Sequence, residues 1–256
     1  MGGIQRAVTL AILAWLWAFG GVADARASDF SDWAVVVVAG DWRASNGRDT
    51  EAFDNARRDL SAALVHAGFR SDNIRQYSLR PPRPGDDPAV VVSPKAAVTG
   101  FVETARRAGG GCLFYLTSHG TPHGAVFGPK MMLTPAMLDA LLSEACADRP
   151  TVAVVSACFS GVFVQPVKKP NRMIITAARP DRSSFGCSER DRYPYFDACV
   201  LQGLQQTRDF VALSARVRSC VAAREAQEGL TPPSEPQVAM GSQVQLTLPL
   251  MRFGGS

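Results

Sequence analysis

The sequence lacks the features that define several large classes of protein. It has no long run of charges of one sign, because 27 basic and 23 acidic residues are interspersed and leave a formal net charge of +4. It has no internal repeat, no Gly/Ser-rich linker and no low-complexity segment. With 46% hydrophobic residues over 256 positions, the composition is that of a globular protein. These observations exclude a disordered or fibrous protein and disfavour nucleic-acid binding, which needs a basic patch or stripe.

The six cysteines lack the spacing of a metal or redox motif. None of them forms a C-x-x-C pair, so neither a zinc ribbon nor a thioredoxin-like motif is supported. Their even number allows disulfide bonds in an oxidising compartment. If one of them is a working thiol, five remain and at least one more is unpaired. The cysteines are Cys112, Cys146, Cys158, Cys187, Cys199 and Cys220.

The first 27 residues have the three-part pattern of a secretory signal peptide. Arg6 supplies a positive charge, residues 7–19 form an apolar run, and small residues in 22–27 offer an Ala-x-Ala cleavage site. The apolar run is shorter than the ~20 residues that a membrane-spanning helix needs, which favours a cleaved leader over an anchor. We therefore expect a periplasmic or secreted protein with one domain, residues 28–256, and no stable membrane insertion.

Apolar strand patterns alternate with helical patterns along the rest of the chain. Parallel neighbours in a sheet need crossover helices on its faces. The alternation therefore predicts an α/β three-layer sandwich around a mostly parallel sheet of about six strands. The predicted strands are 33–39, 74–79, 112–117, 151–156, 173–177 and a last one at 243–248. The predicted helices are 50–67, 93–108, 134–145, 196–207 and 210–226.

Two of these strands end in reactive side chains. His119 follows strand 112–117, and Cys158 follows strand 151–156. In open sheets of this kind, ligands bind beyond the carboxyl ends of the strands. An imidazole that reaches a thiol can act as its base and stabilise the thiolate. Because Gly120 has no side chain, its N–H is accessible, and with the N–H of Cys158 it would form an oxyanion hole with two donors.

A metal site is the alternative interpretation of the histidines. His123 lies four residues after His119, and a His-x-x-x-His pair can bind zinc. Such pairs normally lie on a helix, whereas this one lies in a Gly/Pro-containing loop. We therefore expect neither a metal nor another cofactor.

The residues around the two reactive positions carry a family resemblance. A hydrophobic strand with His-Gly is followed, 39 residues after His119, by Ala-Cys at the end of another hydrophobic strand. A first strand ends in Val-Ala-Gly at 38–40, and an Asn and an Arg follow with one residue between them. Residues 176–187 contain Ala-Ala, Pro, Ser-Ser and Cys. These blocks resemble the legumain (asparaginyl endopeptidase) family, and caspases are more distant relatives. The resemblance extends from residue 33 to about 205 and implies the caspase/legumain-like fold.

The resemblance implies a role for each matching residue. Cys158 matches the nucleophile, His119 the general base and acid, and Asn46 the group that orients the imidazole. Gly120 matches the oxyanion position. The positions that surround the pocket for the residue before the scissile bond are Arg48, Ser156, Ser183 and Asp197.

The sequence also departs from the family pattern. Ser156 stands where the family usually has Glu, which removes one acidic wall of the pocket. Asp49 stands where legumains have His, and Phe159 replaces a polar residue after the nucleophile. Both Asn and Asp therefore stay open as the residue before the scissile bond.

The sequence thus predicts an exported cysteine endopeptidase that hydrolyses peptide bonds through a thioacyl-enzyme, after Asn or Asp. We expect a monomer that acts on peptide or protein substrates and binds no nucleic acid. A transpeptidase or transamidase would use the same dyad but transfer the acyl group to an amine. The non-enzymatic alternative is a scaffold that binds peptides in the groove at the strand ends without catalysis.

Overall fold

Four fully buried strands form the centre of the molecule. The computed structural model describes residues 30–254, and in it β1, β3, β7 and β8 are buried along their whole length. Strands that are buried on both faces are typical of a parallel sheet covered by helices on each side. The strands are β1 Trp33–Ala39, β2 Ile74–Ser78, β3 Gly111–Thr117, β4 Gly120–Thr121, β5 Gly124–Val126, β6 Met132–Leu133, β7 Thr151–Ser156, β8 Arg172–Thr176 and β9 Gln237–Met240.

The main sheet has six strands in the order β2-β1-β3-β7-β8-β9. The first five are parallel, and β9 pairs antiparallel with β8 at one edge. A second, small antiparallel sheet contains β4, β5 and β6. The mostly parallel six-stranded sheet confirms the predicted fold class.

Helices cover both faces of the main sheet, and each face has its own hydrophobic core. One core contains apolar side chains of α1, α5 and α6. The other contains side chains of α2, α3 and α4. The helices are α1 Ala52–His66, α2 Pro94–Arg107, α3 Pro135–Cys146, α4 Val164–Val167, α5 Tyr195–Leu204, α6 Phe210–Gln227 and α7 Val244–Thr247.

Two helix starts show why the sequence pattern located them correctly. Ser93 precedes α2, and its side chain accepts a hydrogen bond from the N–H of Ala96 at 3.2 Å. Thr134 precedes α3 and accepts from the N–H of Met137 at 3.3 Å. In both helices proline occupies the first turn, where its missing N–H costs nothing.

The last predicted strand, 243–248, is wrong. Its residues form α7, and the last strand is β9, several residues earlier. Apolar residues at every second position suggested a strand, but only Val244 and Leu248 are buried, whereas Leu246 is 75% exposed. Burial at every fourth residue is the period of a helix. The small sheet of residues 120–133 was also missed, because strands of two or three residues are too short to show a period.

One disulfide bond joins a helix to the central sheet, and a second joins two helices. Cys112 in β3 is bonded to Cys146 at the end of α3, and Cys199 in α5 is bonded to Cys220 in α6. The free cysteines are Cys158 and Cys187. This division agrees with the expectation that a working thiol leaves at least one other cysteine unpaired.

The predicted signal peptide, residues 1–27, lies outside the described residues. Within residues 30–254, no helix combines the length and the hydropathy needed to cross a membrane.

The disulfide between α5 and α6 should contribute measurably to stability. We expect the double substitution Cys199→Ser, Cys220→Ser to lower the free energy of unfolding by about 3 kcal/mol, because the bond closes a loop of 21 residues in the unfolded chain. Urea denaturation without a reducing agent measures this change. Cys187→Ser, which keeps both disulfides, is the control. A loss of less than about 1 kcal/mol in the double variant would contradict this expectation.

Candidate active site

Adjacent parallel strands bring His119 and Cys158 to one edge of the sheet. Thr117 at the end of β3 is the register partner of Ser156 at the end of β7. The pairing continues one residue further, where the N–H of Ser118 donates to the carbonyl oxygen of Ser156 at 3.0 Å. His119 lies two residues after Thr117, and Cys158 lies two residues after Ser156. The carboxyl ends of β3 and β7 therefore bring the two reactive residues to the same edge of the sheet.

The turn after β3 packs directly on the backbone of Cys158. A Cβ atom added to Gly120 would overlap the carbonyl oxygen of Cys158 and would lie 3.0 Å from its carbonyl carbon. The same atom would lie 3.0 Å from the Cβ of Ala157. Only glycine permits this approach, so the sequence His-Gly has a steric reason at this position.

The imidazole of His119 is held by the backbone of a different loop. Its Nε2 lies 2.7 Å from the carbonyl oxygen of Arg43, and its ring packs edge-on against Phe53 with 5.1 Å between ring centroids. Because a carbonyl oxygen only accepts hydrogen bonds, we assign the proton to Nε2 in the neutral imidazole. Nδ1 is then the free basic nitrogen.

The thiol of Cys158 is held by the backbone of Ser184. The N–H of Ser184 donates to Sγ at 3.2 Å, and the thiol donates to the carbonyl oxygen of Ser184 at 3.4 Å. The Ser184 hydroxyl lies 3.6 Å from Sγ. Within residues 30–254, no hydrogen bond joins Sγ to the imidazole of His119. Catalytic hydrogen bonds are often long before substrate binds and tighten only in the complex.

Two backbone amides are available beside the thiol. The N–H of Val126 donates to the carbonyl oxygen of His119 at 2.9 Å, and Gly120 is paired with Ala125 in the β4–β5 ladder. Hydrogen-bonded and non-hydrogen-bonded pairs alternate in such a ladder, so the N–H of Gly120 points away from β5. The N–H of Cys158 has no acceptor in the part of the chain that the structure describes. Two donors thus stand free where the turns after β3 and β7 touch.

A left-handed residue shapes the turn after the nucleophile. Phe159 has φ 57° and ψ 11°, a conformation that costs a non-glycine residue roughly 1 to 2 kcal/mol. Its N–H donates to the carbonyl oxygen of Arg182 at 2.7 Å, and the hydroxyl of Ser160 accepts from the N–H of Ala178 at 3.2 Å. These contacts hold the strained turn, and such strain is typical of functional sites.

Comparison with protein families agrees with this geometry. Residues 106–228 match the Peptidase C13 family, and this stretch contains both His119 and Cys158. The chain is a cysteine-type endopeptidase that is similar to the legumain family. No curated protein sequence matches the chain.

The fold of the peptidase is similar to that of a caspase. The crystal structure of caspase-1 from Spodoptera frugiperda superposes with a TM-score of 0.60 at 13% sequence identity. The match covers 84% of the peptidase and 88% of the caspase chain. At this identity the likeness concerns the fold.

The structure places a backbone carbonyl, and not the side chain of Asn46, on the imidazole of His119. Asn46 is exposed, and its side-chain oxygen accepts a hydrogen bond from the N–H of Arg48 at 3.0 Å. Such local side-chain-to-backbone bonds are typical of Asn in turns. The group that is hydrogen-bonded to the imidazole is the backbone carbonyl of Arg43. The sequence could not reveal this partner, because every residue has a backbone carbonyl.

Two of the four residues assigned to the substrate pocket are buried. Asp197 is 0% exposed and Ser156 is 2% exposed, so neither faces the solvent side of the site. Asp197 accepts hydrogen bonds from the hydroxyls of Tyr115 and Thr117, at 2.5 Å each. The role of Asp197 and Ser156 in lining the substrate pocket stays a prediction.

The other two pocket residues are exposed. Arg48 forms an ion pair with Glu189 at 3.1 Å, and its side chain is 73% exposed. The hydroxyl of Thr50 donates to the carbonyl oxygen of Ser188 at 3.0 Å, which joins the two loops at this point. Ser183 is exposed beside Ser184, the residue that contacts the thiol.

The second free thiol differs from the first in its electrostatic setting. Burial, followed by the charges of Cys158 and Asp191, raises the pKa of Cys187 to about 11. Cys187 is therefore protonated at neutral pH and is a poor nucleophile. Within residues 30–254, no group of three or more His, Cys, Asp or Glu side chains could hold a metal ion.

The buried carboxyl of Asp197 should make the stability of the peptidase depend on pH. Burial raises its pKa from 3.8 to about 6, although hydrogen bonds from Thr117, Tyr115 and Ser156 oppose the rise. Because the pKa is higher in the folded protein, this group favours folding fully below the unfolded pKa, and its contribution is lost as the pH rises through 6. We expect the loss to be roughly 3 kcal/mol between about pH 4 and about pH 7.

Urea denaturation of Cys158→Ala at both pH values, with and without Asp197→Asn, measures this contribution. The pH-dependent loss should be smaller when Asn replaces Asp197. An equal loss in the two proteins would contradict the assignment.

Proposed function

We propose that the chain hydrolyses peptide bonds with Cys158 as the nucleophile and His119 as the general base and acid. The contact of Gly120 with the backbone of Cys158 carries the proposal, because it joins the turns that bear both side chains. The two free amides at this contact favour an acyl-transfer site over a peptide-binding scaffold, which has no need of an oxyanion hole.

The proposed reaction proceeds through a thioacyl-enzyme. Nδ1 of His119 takes the thiol proton, and the sulfur of Cys158 attacks the carbonyl carbon of the scissile peptide bond. The N–H groups of Gly120 and Cys158 donate to the oxyanion, each being worth ~2.7 to 4 kcal/mol. His119 then gives its proton to the leaving amine as the C–N bond breaks. Water, deprotonated by His119, attacks the thioester and releases the acid and the thiol.

The carbonyl of Arg43 fixes which nitrogen of His119 acts as the base. Its hydrogen bond keeps the proton on Nε2 and fixes the ring orientation. This backbone group thus takes the orienting role that the resemblance had assigned to Asn46. Packing of Phe53 against the ring restricts its rotation further.

The proposed preference is for Asn before the scissile bond, with Asp as the alternative. The pair of Arg48 and Glu189 offers hydrogen-bond donors and acceptors together. A carboxamide can accept from the guanidinium and donate to the carboxylate, whereas a substrate carboxylate meets the charge of Glu189. Ser183 and the backbone of Ser184 lie on the thiol side of the same site.

Transpeptidation or transamidation would use the same residues. An amine instead of water would then attack the thioester, and Cys158 would be released in the same way. Product analysis with an added amine distinguishes this reaction from hydrolysis.

We also propose that the protein is exported and works as a monomer on peptide or protein substrates. Two disulfide bonds support an oxidising compartment. Removal of the leader would leave a mature chain that begins near residue 26 or 28. The intact mass of the protein from an exporting host tests this cleavage, and an uncleaved chain would contradict it.

Substitution of the nucleophile tests the central proposal. We expect Cys158→Ala to lower the hydrolysis of an Asn-containing fluorogenic peptide by at least ~10⁴-fold, because loss of one member of a catalytic set removes the whole pathway. Cys187→Ser, the matched control at the other free thiol, should keep most of the activity. Activity that survives in Cys158→Ala or disappears in Cys187→Ser would reject the assignment.

Substitution of Glu189 tests the specificity. Glu189→Gln should lower the ratio of kcat/KM for Asn over Asp substrates about fivefold, since an exposed ion pair is worth up to ~1 kcal/mol. The change frees Arg48 to bind a substrate carboxylate. Asp72→Asn, which removes the acid of an exposed ion pair with Arg70 in the turn before β2, is the control. An unchanged ratio in Glu189→Gln would show that this pair does not select the substrate.

A further inference from the structure

One carboxylate connects the two strand ends that carry the reactive side chains. Oδ2 of Asp197 accepts from the hydroxyl of Thr117 at 2.5 Å, and the hydroxyl of Ser156 is a further hydrogen-bond partner. Thr117 and Ser156 are register partners in β3 and β7. Each lies two residues before its reactive residue, His119 or Cys158.

The helix that carries Asp197 also contacts the segment that holds the thiol. Asp197 lies in the first turn of α5, where the helix dipole favours negative charge. In the same turn, the N–H of Tyr195 donates to the carbonyl oxygen of Phe185 at 3.0 Å. Phe185 follows Ser184, whose backbone binds Sγ of Cys158. The start of α5 therefore anchors both strand ends and the loop across the thiol.

The hydrogen bonds around Asp197 match an ionised carboxylate. Tyr115 donates to Oδ1, while Thr117 and Ser156 add two more hydroxyls. An ionised carboxylate only accepts, so it can satisfy all three donors. A protonated carboxyl must itself donate, and one of the three hydroxyls must then turn or leave. In this buried site such a change alters the spacing of the strand ends.

We propose that Asp197 is a positioning residue that sets the distance between His119 and Cys158 and does not touch the substrate. The inference rests on the proposed dyad but assigns Asp197 a different role from the pocket wall that the resemblance implies. Its side chain is completely buried, and both of its oxygens already accept hydrogen bonds from hydroxyls of β3.

The proposal has a consequence for pH dependence. The pKa of Asp197 is raised to about 6 by burial, so the group takes up its proton as the pH falls below this value. Tyr115 on β3 is the titratable side chain that faces it, and burial raises the pKa of Tyr115 well above its usual value of 10. Thr117 and Ser156, from β3 and β7, carry no charge. The part of an acid limb in kcat near pH 6 that Asp197→Asn removes then reports Asp197.

A matched pair of substitutions at Thr117 tests the connection without removing the carboxylate. Thr117→Val keeps the shape of the side chain but loses the hydroxyl, and should lower kcat at least ~10-fold with KM within about twofold, as expected for a misplaced catalytic group. Thr117→Ser restores the hydroxyl and should restore kcat. Thr104→Val removes another buried threonine hydroxyl, in α2, and should leave kcat unchanged.

Asp197→Asn supplies a second readout, because it should lower kcat and reduce the acid limb of the kcat profile near pH 6. Urea denaturation confirms that each variant is folded before kinetics are measured. Unchanged kcat in folded Thr117→Val, or a change confined to KM, would overturn the positioning role. An acid limb that is unchanged in folded Asp197→Asn would do the same.

Alkylation of Cys158 by iodoacetamide separates failure of this inference from failure of the dyad. At about pH 6, His119→Ala should slow alkylation at least ~10-fold, because the imidazole is the base for the thiol. Thr117→Val should also slow it. Slow alkylation in His119→Ala with a wild-type rate in Thr117→Val overturns the role of Asp197 alone. A wild-type rate in His119→Ala overturns both proposals.

Discussion

The parallel pairing of β3 with β7 is the interaction on which the site depends. Because Thr117 and Ser156 are in register, the residues that follow them leave the sheet at the same edge. Both strands are buried along their whole length, so their pairing is stabilised by the two hydrophobic cores as well as by the ladder. A shift of register would separate His119 from Cys158 and expose apolar side chains, which couples the geometry of the site to the stability of the core.

Backbone groups, more than side chains, build the surroundings of the two reactive residues. The carbonyl of Arg43 binds the imidazole, and both main-chain groups of Ser184 bind the thiol. The amides of Gly120 and Cys158 are the free donors. Such groups depend on the path of the chain and not on residue type. A fold that keeps this path can therefore retain its site architecture while most side chains change.

The elements that could be predicted are those whose residues carry a physical pattern. The buried runs of β1 and β7 have the predicted bounds, and the capping residues Ser93 and Thr134 mark helix starts. The prediction fails where the pattern is ambiguous: the alternating apolar residues of 243–248 fit a strand, but burial of Val244 and Leu248 makes them a helix. The two-residue strands β4 and β6 carry too little sequence to show any period.

By itself, the sequence determined the alternation of strands and helices, the reactive residues at two strand ends, and the resemblance to legumains. These follow from local hydrophobic periodicity and from short motifs, which are properties of neighbouring residues. Only the tertiary structure decided three contacts. Asn46 forms a hydrogen bond within its own loop, the carbonyl of Arg43 forms one with the imidazole of His119, and Asp197 accepts hydrogen bonds from buried hydroxyls. These contacts join residues distant along the chain, and their partners are selected by packing, which local sequence does not encode.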